Sequence, residues 1–125
     1  MKLHHDTISD KNVITGYGPD YVQINGTEHR GNLVVLPDRV ETGWTAGGFE
    51  ALDAAGFATL AALECEVLLI GTGERQRFPS PALLRPLIEV QIGFEIMDVP
   101  AACRTYNILM GENRNVAAAL LFDAP

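Results

Sequence analysis

The sequence predicts a three-layer α/β fold: a single domain with a central mixed β-sheet, helices on its faces and β-hairpins at its N-terminus. Three observations carry that expectation. The first third is written in short alternating segments broken by Gly, Asn and Pro. The second half alternates unbroken apolar runs with stretches of helical period, the pattern of strands covered on both faces by helices. With 125 residues, 47% hydrophobic and 20% charged, the chain has the size and composition of one packed domain, 1–125. Such a chain buries roughly two-thirds of its unfolded surface, so neither disulfides nor a structural metal are needed to hold it.

Val13-Ile14-Thr15 is a β-branched run closed by Gly16-Tyr17-Gly18-Pro19, and Tyr21 to Ile24 alternates before Asn25-Gly26. Asn-Gly suits a two-residue type I′ turn, whose central positions both need positive φ, so a hairpin returns through Thr27 to Arg30. Leu33 to Leu36 reads as a buried strand stopped by Pro37-Asp38, and Arg39 to Gly48 as loop. From Phe49 the period becomes helical through Leu52, Gly56, Phe57, Leu60 and Leu63, with Asp53 placed to cap an inner start. Val67 to Ile70 is a strand ending in Gly71-Thr72-Gly73.

Ser80 and Pro81 open the next helix as N-cap and first helical residue, and Leu83, Leu84, Leu87 and Ile88 form its stripe. Pro86 lies inside that stripe, where proline removes a hydrogen bond, so a bend or early end is expected. Phe94 to Met97 is a strand leading through Asp98 into a helix that opens on Pro100 and runs to about Glu112. On it, 100° per residue places Ala101, Ala102, Thr105, Ile108 and Leu109 on the core face and Cys103, Arg104 and Asn107 on the other. Val116 to Phe122 closes the series as a strand, completing β-α-β-α-β.

Charge and composition exclude several functions. Residues 1–66 carry four Lys/Arg against ten Asp/Glu and residues 67–125 five against six, for a net charge of −7 that disfavours nucleic acid and anionic lipid. No run approaches the roughly 18 apolar residues of a membrane span, and the opening MKLHHDTISDKN has no apolar signal core, so a cytoplasmic protein without membrane insertion is expected. Cys65 and Cys103 stand 38 positions apart with no metal or redox spacing around them, which fits reduced thiols. His4, His5 and Asp6 read as a solvated terminus rather than as ligands. No metal and no cofactor is expected.

If the two inner strands are parallel neighbours, Gly71 to Gly73 and Asp98 to Arg104 meet at their carboxyl edge, where open α/β sheets bind ligands. The expected binding surface is Gly71, Thr72, Gly73, Cys103, Arg104 and Asn107. A dinucleotide fingerprint fails, because Gln76 stands where the third glycine belongs, and no GxxxxGK[ST] occurs. Cys103 lies in a first helical turn beside Arg104, a place that activates thiols, yet no His lies near it in sequence. No catalytic residue is assigned. The competing expectation is an anion-binding protein or enzyme that uses the glycine loop, Arg75, Arg77 and Arg104, with Cys103 or Tyr106 as its reactive group.

LLIGTG (68–73), FEIMD (94–98), AACRTYNIL (101–109) and the closing NRNVAAALL, together with the TISDKNVITGYG opening and Trp44, span nearly the whole chain. Taken in order they resemble the small single-domain family of mitochondrial respiratory complex I assembly factor 3 and its uncharacterised bacterial relatives. The resemblance implies a three-layer α/β fold, no established enzymatic activity or cofactor, and a role in membrane-complex assembly through other proteins. Some bacterial relatives are encoded beside membrane-protein export genes. The absence of an Arg/Ser-rich leader leads to the expectation of a bacterial member.

Overall fold

Val116–Leu120, with three consecutive alanines, forms the inner strand of a five-stranded sheet, and all five of its residues are buried. The computed structural model describes residues 10–123. Strands β1 (Ile14–Tyr17), β2 (Tyr21–Ile24) and β3 (Thr27–Arg30) make an antiparallel three-stranded sheet. Strands β4 (Leu33–Leu36), β5 (Arg39–Thr42), β6 (Val67–Gly71), β7 (Gly93–Met97) and β8 (Val116–Leu120) make the larger sheet in the order β5-β4-β8-β6-β7. It is mixed: β8 and β7 flank β6 in parallel, whereas β4 runs antiparallel to both β8 and β5. Helices α1 (Ala54–Ala61), α2 (Pro81–Glu89) and α3 (Val99–Gly111) lie between the strands in sequence, and a 3₁₀ turn, Phe49–Ala51, precedes α1.

Alternation along the strands splits the core in two. Leu33, Val35, Leu69, Val116, Ala118 and Leu120 face α3 and the three-stranded sheet, meeting Ile14, Val22, Ile24, Ala102, Cys103 and Tyr106. Val34, Leu36, Leu68, Ile70, Ala117 and Ala119 face the opposite way, onto Trp44, Phe57, Leu60 and Leu87 from α1, α2 and the loop before them. The fold is therefore the expected three-layer α/β arrangement, with the hairpin sheet sharing one outer layer with α3. Methyl side chains on β8 leave room for both outer layers to approach the sheet.

Local signals set several elements directly. Asn25 and Gly26 take φ of 50° and 84°, as a type I′ turn requires, and β2 pairs β3 in register across them. Asp53 accepts the Gly56 N–H at 2.9 Å and caps α1, and Asp98 accepts the Ala101 N–H at 2.7 Å and caps α3. Ser80 occupies the N-cap of α2 but makes no side-chain cap bond.

Three expectations need correction. Arg39 to Thr42 is strand rather than loop, because β4 needs an antiparallel neighbour on its outer side and Val35 pairs with Val40. Pro86 does not end its helix, which continues to Glu89. The rotation of α3 also differs from the periodic reading: Cys103 and Tyr106 are buried, while Ile108 is 60% exposed. A helix covered by a sheet below and a hairpin beside it has two buried flanks, and the side facing the hairpin carries the polar residues that bond it.

Candidate functional site

At the carboxyl edge of the parallel strands, β6 and β7 place their exit loops together. The Thr72 N–H donates to the Met97 carbonyl at 2.9 Å, and the Val99 N–H donates to the Gly73 carbonyl at 2.8 Å. Between this edge and the turn after β1 opens a cleft of about 410 Å³ lined by Tyr17, Gly18, Pro19, Gly73, Glu74, Val99, Pro100 and Phe122. Its walls are mostly apolar, and Tyr17 is 42% exposed at its rim.

The glycine exit is held by internal bonds. Thr72 is fully buried; its Oγ1 donates to the Arg75 carbonyl and accepts the Arg77 N–H, both at 2.9 Å. Gly73 has φ +97°, and a Cβ there would stand 2.6 Å from Asp123 Oδ2 and 2.8 Å from Arg77 Nη2. At Gly71 a Cβ would press on Val99 and Leu120 at 3.1–3.2 Å. Glycine is needed here because α3 and the end of β8 come so close.

Arg77 is committed to the same corner. It pairs with Asp123, donates to the Thr72 carbonyl at 2.6 Å and lies 4.7 Å over the Phe49 ring. The expectation that Arg77 faces an anion is thus corrected, since its guanidinium is satisfied by partners as far as 46 residues away. Asp98 puts a carboxylate on the N-terminus of α3, which opposes an anion at the helix dipole. Arg104 is exposed, and no carboxylate among the described residues forms an ion pair with it.

Cys103 is 2% exposed, and burial pushes its thiol up to about 12, against a smaller opposing effect of Arg104. A thiol so shifted is protonated at neutral pH and has lost its nucleophilic form. Tyr106 is likewise buried; its phenol is raised by desolvation and donates to the Asn12 carbonyl at 2.8 Å. Both are therefore removed as reactive groups. Asn107 accepts the Ile14 N–H at 2.9 Å and donates to the Ile14 carbonyl at 2.8 Å, so its amide bonds the edge of β1 as a neighbouring strand would.

Of the expected surface residues, Gly73 lines the cleft, Gly71 and Thr72 are buried behind it, Arg104 reaches solvent, and Cys103 and Asn107 hold α3 in place. Sequence reasoning missed the wall contributed by Tyr17, Gly18, Pro19 and Phe122. The Gly-Pro turn beside a tyrosine was the available signal, but nothing local says which edge it covers. His4, His5 and Asp6, read from the sequence as a solvated terminus, lie outside the described residues, and among the described residues no three His, Cys, Asp or Glu are grouped as metal ligands. No described helix is long and apolar enough to cross a membrane.

Fold and site together define a small mixed-sheet α/β protein whose carboxyl edge is a mostly apolar cleft with Tyr17 and Glu74 on its walls. Residues 14–121 match the family described as protein of unknown function (DUF498/DUF598), and the chain belongs to that family. It is similar to NADH dehydrogenase (ubiquinone) 1 alpha subcomplex assembly factor 3 of Danio rerio, with 35% identity over 111 residues, 87% of this chain and 63% of that protein. The chain thus spans less than two-thirds of that relative's length. An uncharacterised protein of Rhodobacter capsulatus is 36% identical over 86% of this chain and 82% of its own. A crystal structure of a Bordetella parapertussis protein superposes with a TM-score of 0.81 at 38% identity, covering 90% of this chain and 97% of that one.

Proposed function

We propose that the protein is a non-catalytic protein-binding module that assists assembly of respiratory complex I or another membrane complex. The observation that carries this reading is the identity, sustained over most of the chain, with an assembly factor of NADH dehydrogenase. The chemistry of the edge supports it: an apolar cleft rimmed by an exposed tyrosine suits the side chains of another protein. On this reading Tyr17, Pro19, Pro100 and Arg104 make contact, and Gly71, Thr72, Gly73, Cys103 and Asn107 shape the surface from behind. The protein works from the bacterial cytoplasm and reaches the inner membrane through its partners.

Deleting the gene is expected to leave complex I sub-assemblies on native gels. Wild-type protein should restore the mature complex, and a folded Tyr17→Ala, Arg104→Glu double variant should not. Normal complex I in the deletion strain, with no membrane-complex subunit recovered by the tagged protein, would refute the proposal.

A further inference from the structure

The outer edges of the two sheets are closed in different ways. β3 carries Glu28 and Arg30, which pair with each other, and β5 carries Arg39 bonded to Glu41 at 2.7 Å. On β1 the Ile14 N–H and carbonyl are taken by the Asn107 amide. Charged side chains and covering groups of this kind keep sheet edges from pairing with other chains. β7 reads GFEIM, with Glu95 as its sole charge, and ends the five-stranded sheet.

Along a strand in a parallel pair, each residue's N–H and carbonyl point to one side, and successive residues alternate. The Met97 carbonyl accepts the Thr72 N–H beside β6, so Met97, Glu95 and Gly93 face inward, and Phe94 and Ile96 face outward. A second contact agrees: the Ile96 carbonyl accepts Gln76 Nε2 at 2.8 Å from outside. The Phe94 N–H, Phe94 carbonyl and Ile96 N–H are left on the rim, with no partner among the described residues.

We propose that this rim takes an extended segment of a partner protein as an added strand, with a Lys or Arg opposite exposed Glu95 and apolar residues beside Phe94 and Ile96. Open main-chain groups define an extended occupant, because a strand presents N–H and carbonyl at matching intervals. Glu95 sets its charge. A second copy is disfavoured by the same residue, since the two-fold antiparallel register that uses both outward residues puts Glu95 directly opposite its own equivalent. The proposal rests on the protein-binding reading above and adds the surface and the chemistry of the partner.

The test is selection of a displayed library of random twelve-residue peptides on the full chain, wild type and Glu95→Lys in parallel. Wild type is expected to enrich segments with alternating apolar residues around a Lys or Arg. The best such peptide, made synthetically, should slow hydrogen exchange at the Phe94 and Ile96 amides by about tenfold or more. Glu95→Lys, an exposed change that leaves the core intact, should weaken its Kd about five- to tenfold. Gln76→Ala, which uncovers the Ile96 carbonyl, should tighten it. No enrichment, an enriched pattern without a basic residue, or protection at the Tyr17–Pro19 cleft instead would overturn the proposal. So would a concentration-dependent dimer that protects the same two amides. Each result is read on the purified protein, so loss of the complex I role would leave this test standing.

Discussion

Asn107 shows how much a single side chain settles in this protein. Its amide is both acceptor and donor to Ile14, and either replacement breaks that reciprocity. Asn107→Ala leaves two part-buried backbone groups unpaired and is expected to cost about 2 kcal/mol in urea unfolding, within the usual penalty for such groups. Asn107→Asp should be worse at pH 7, because its carboxylate would face the Ile14 carbonyl. Protonation supplies a donor there, so the deficit relative to wild type should shrink as pH falls; a deficit that stays constant would contradict the pairing. Cys103 gives a second test. Its thiol, ordinarily near 9.0, is held up to about 12 in the folded chain. Above pH 9.0 the unfolded chain releases this proton while the native chain keeps it, so stability falls as pH rises, by roughly 1.4 kcal/mol per unit from this group until about pH 12. Tyr106 and Cys65, also raised, act in the same direction. Cys103→Ala should flatten the decline between pH 9 and 11. The sequence marks Cys103, Arg104 and Asn107 as the polar face of α3, but the bonds that Asn107 makes to Ile14 and Tyr106 to Asn12 are not legible in it, because those partners lie more than 90 residues away.

Among the elements, those whose signal is local came through. The Asn25-Gly26 hairpin, the Asp53 cap and the unbroken run of β6 are each fixed by residues within a few positions of one another. Helix α3 was found but rotated, since an apolar stripe assigns one buried face and this helix has a second flank against β1. Strand β5 reads as loop in the sequence because Arg39, Val40, Glu41 and Thr42 carry a single apolar residue and run into glycines; pairing with β4 makes them strand. The sequence predicts a bend or an early end of α2 at Pro86, yet the helix runs on to Glu89 and stays packed, with Leu87 fully buried. The cost is retained as a missing bond to the Ala82 carbonyl. Pro86→Ala should therefore raise stability by about 1–2 kcal/mol, the restored bond and relieved ring contact exceeding the ~0.4–1 kcal/mol of chain entropy that proline saves. An unchanged urea midpoint would show that the helix has already absorbed the defect.

For the whole molecule, the inner strand β8 ties the layers to the edge. Ala118 is fully buried and pairs with Val35 on one side and Leu69 on the other. Ala118→Leu should overpack the layer beneath α3 and the hairpin sheet, at a cost of about 1–3 kcal/mol. It should also shift the amide signals of Tyr17 and Gly18, because both walls of the cleft rest on that layer; unmoved signals would mean that the cleft is built independently of it. By itself the sequence determined the α/β class, the hairpin and the β-α-β-α-β order, while the meeting of the two exit loops awaited the parallel pairing of β6 with β7. Backbone sterics, capping and alternation act over a few residues, and the order of apolar runs leaves few ways to stack them. Tertiary structure alone decided that Arg77 is bound to Asp123, that Cys103 is core, that the β1 turn walls the cleft, and that β7 is left with an open rim. Those outcomes depend on which distant groups the returning chain brings within hydrogen-bond reach, and no local periodicity encodes that distance.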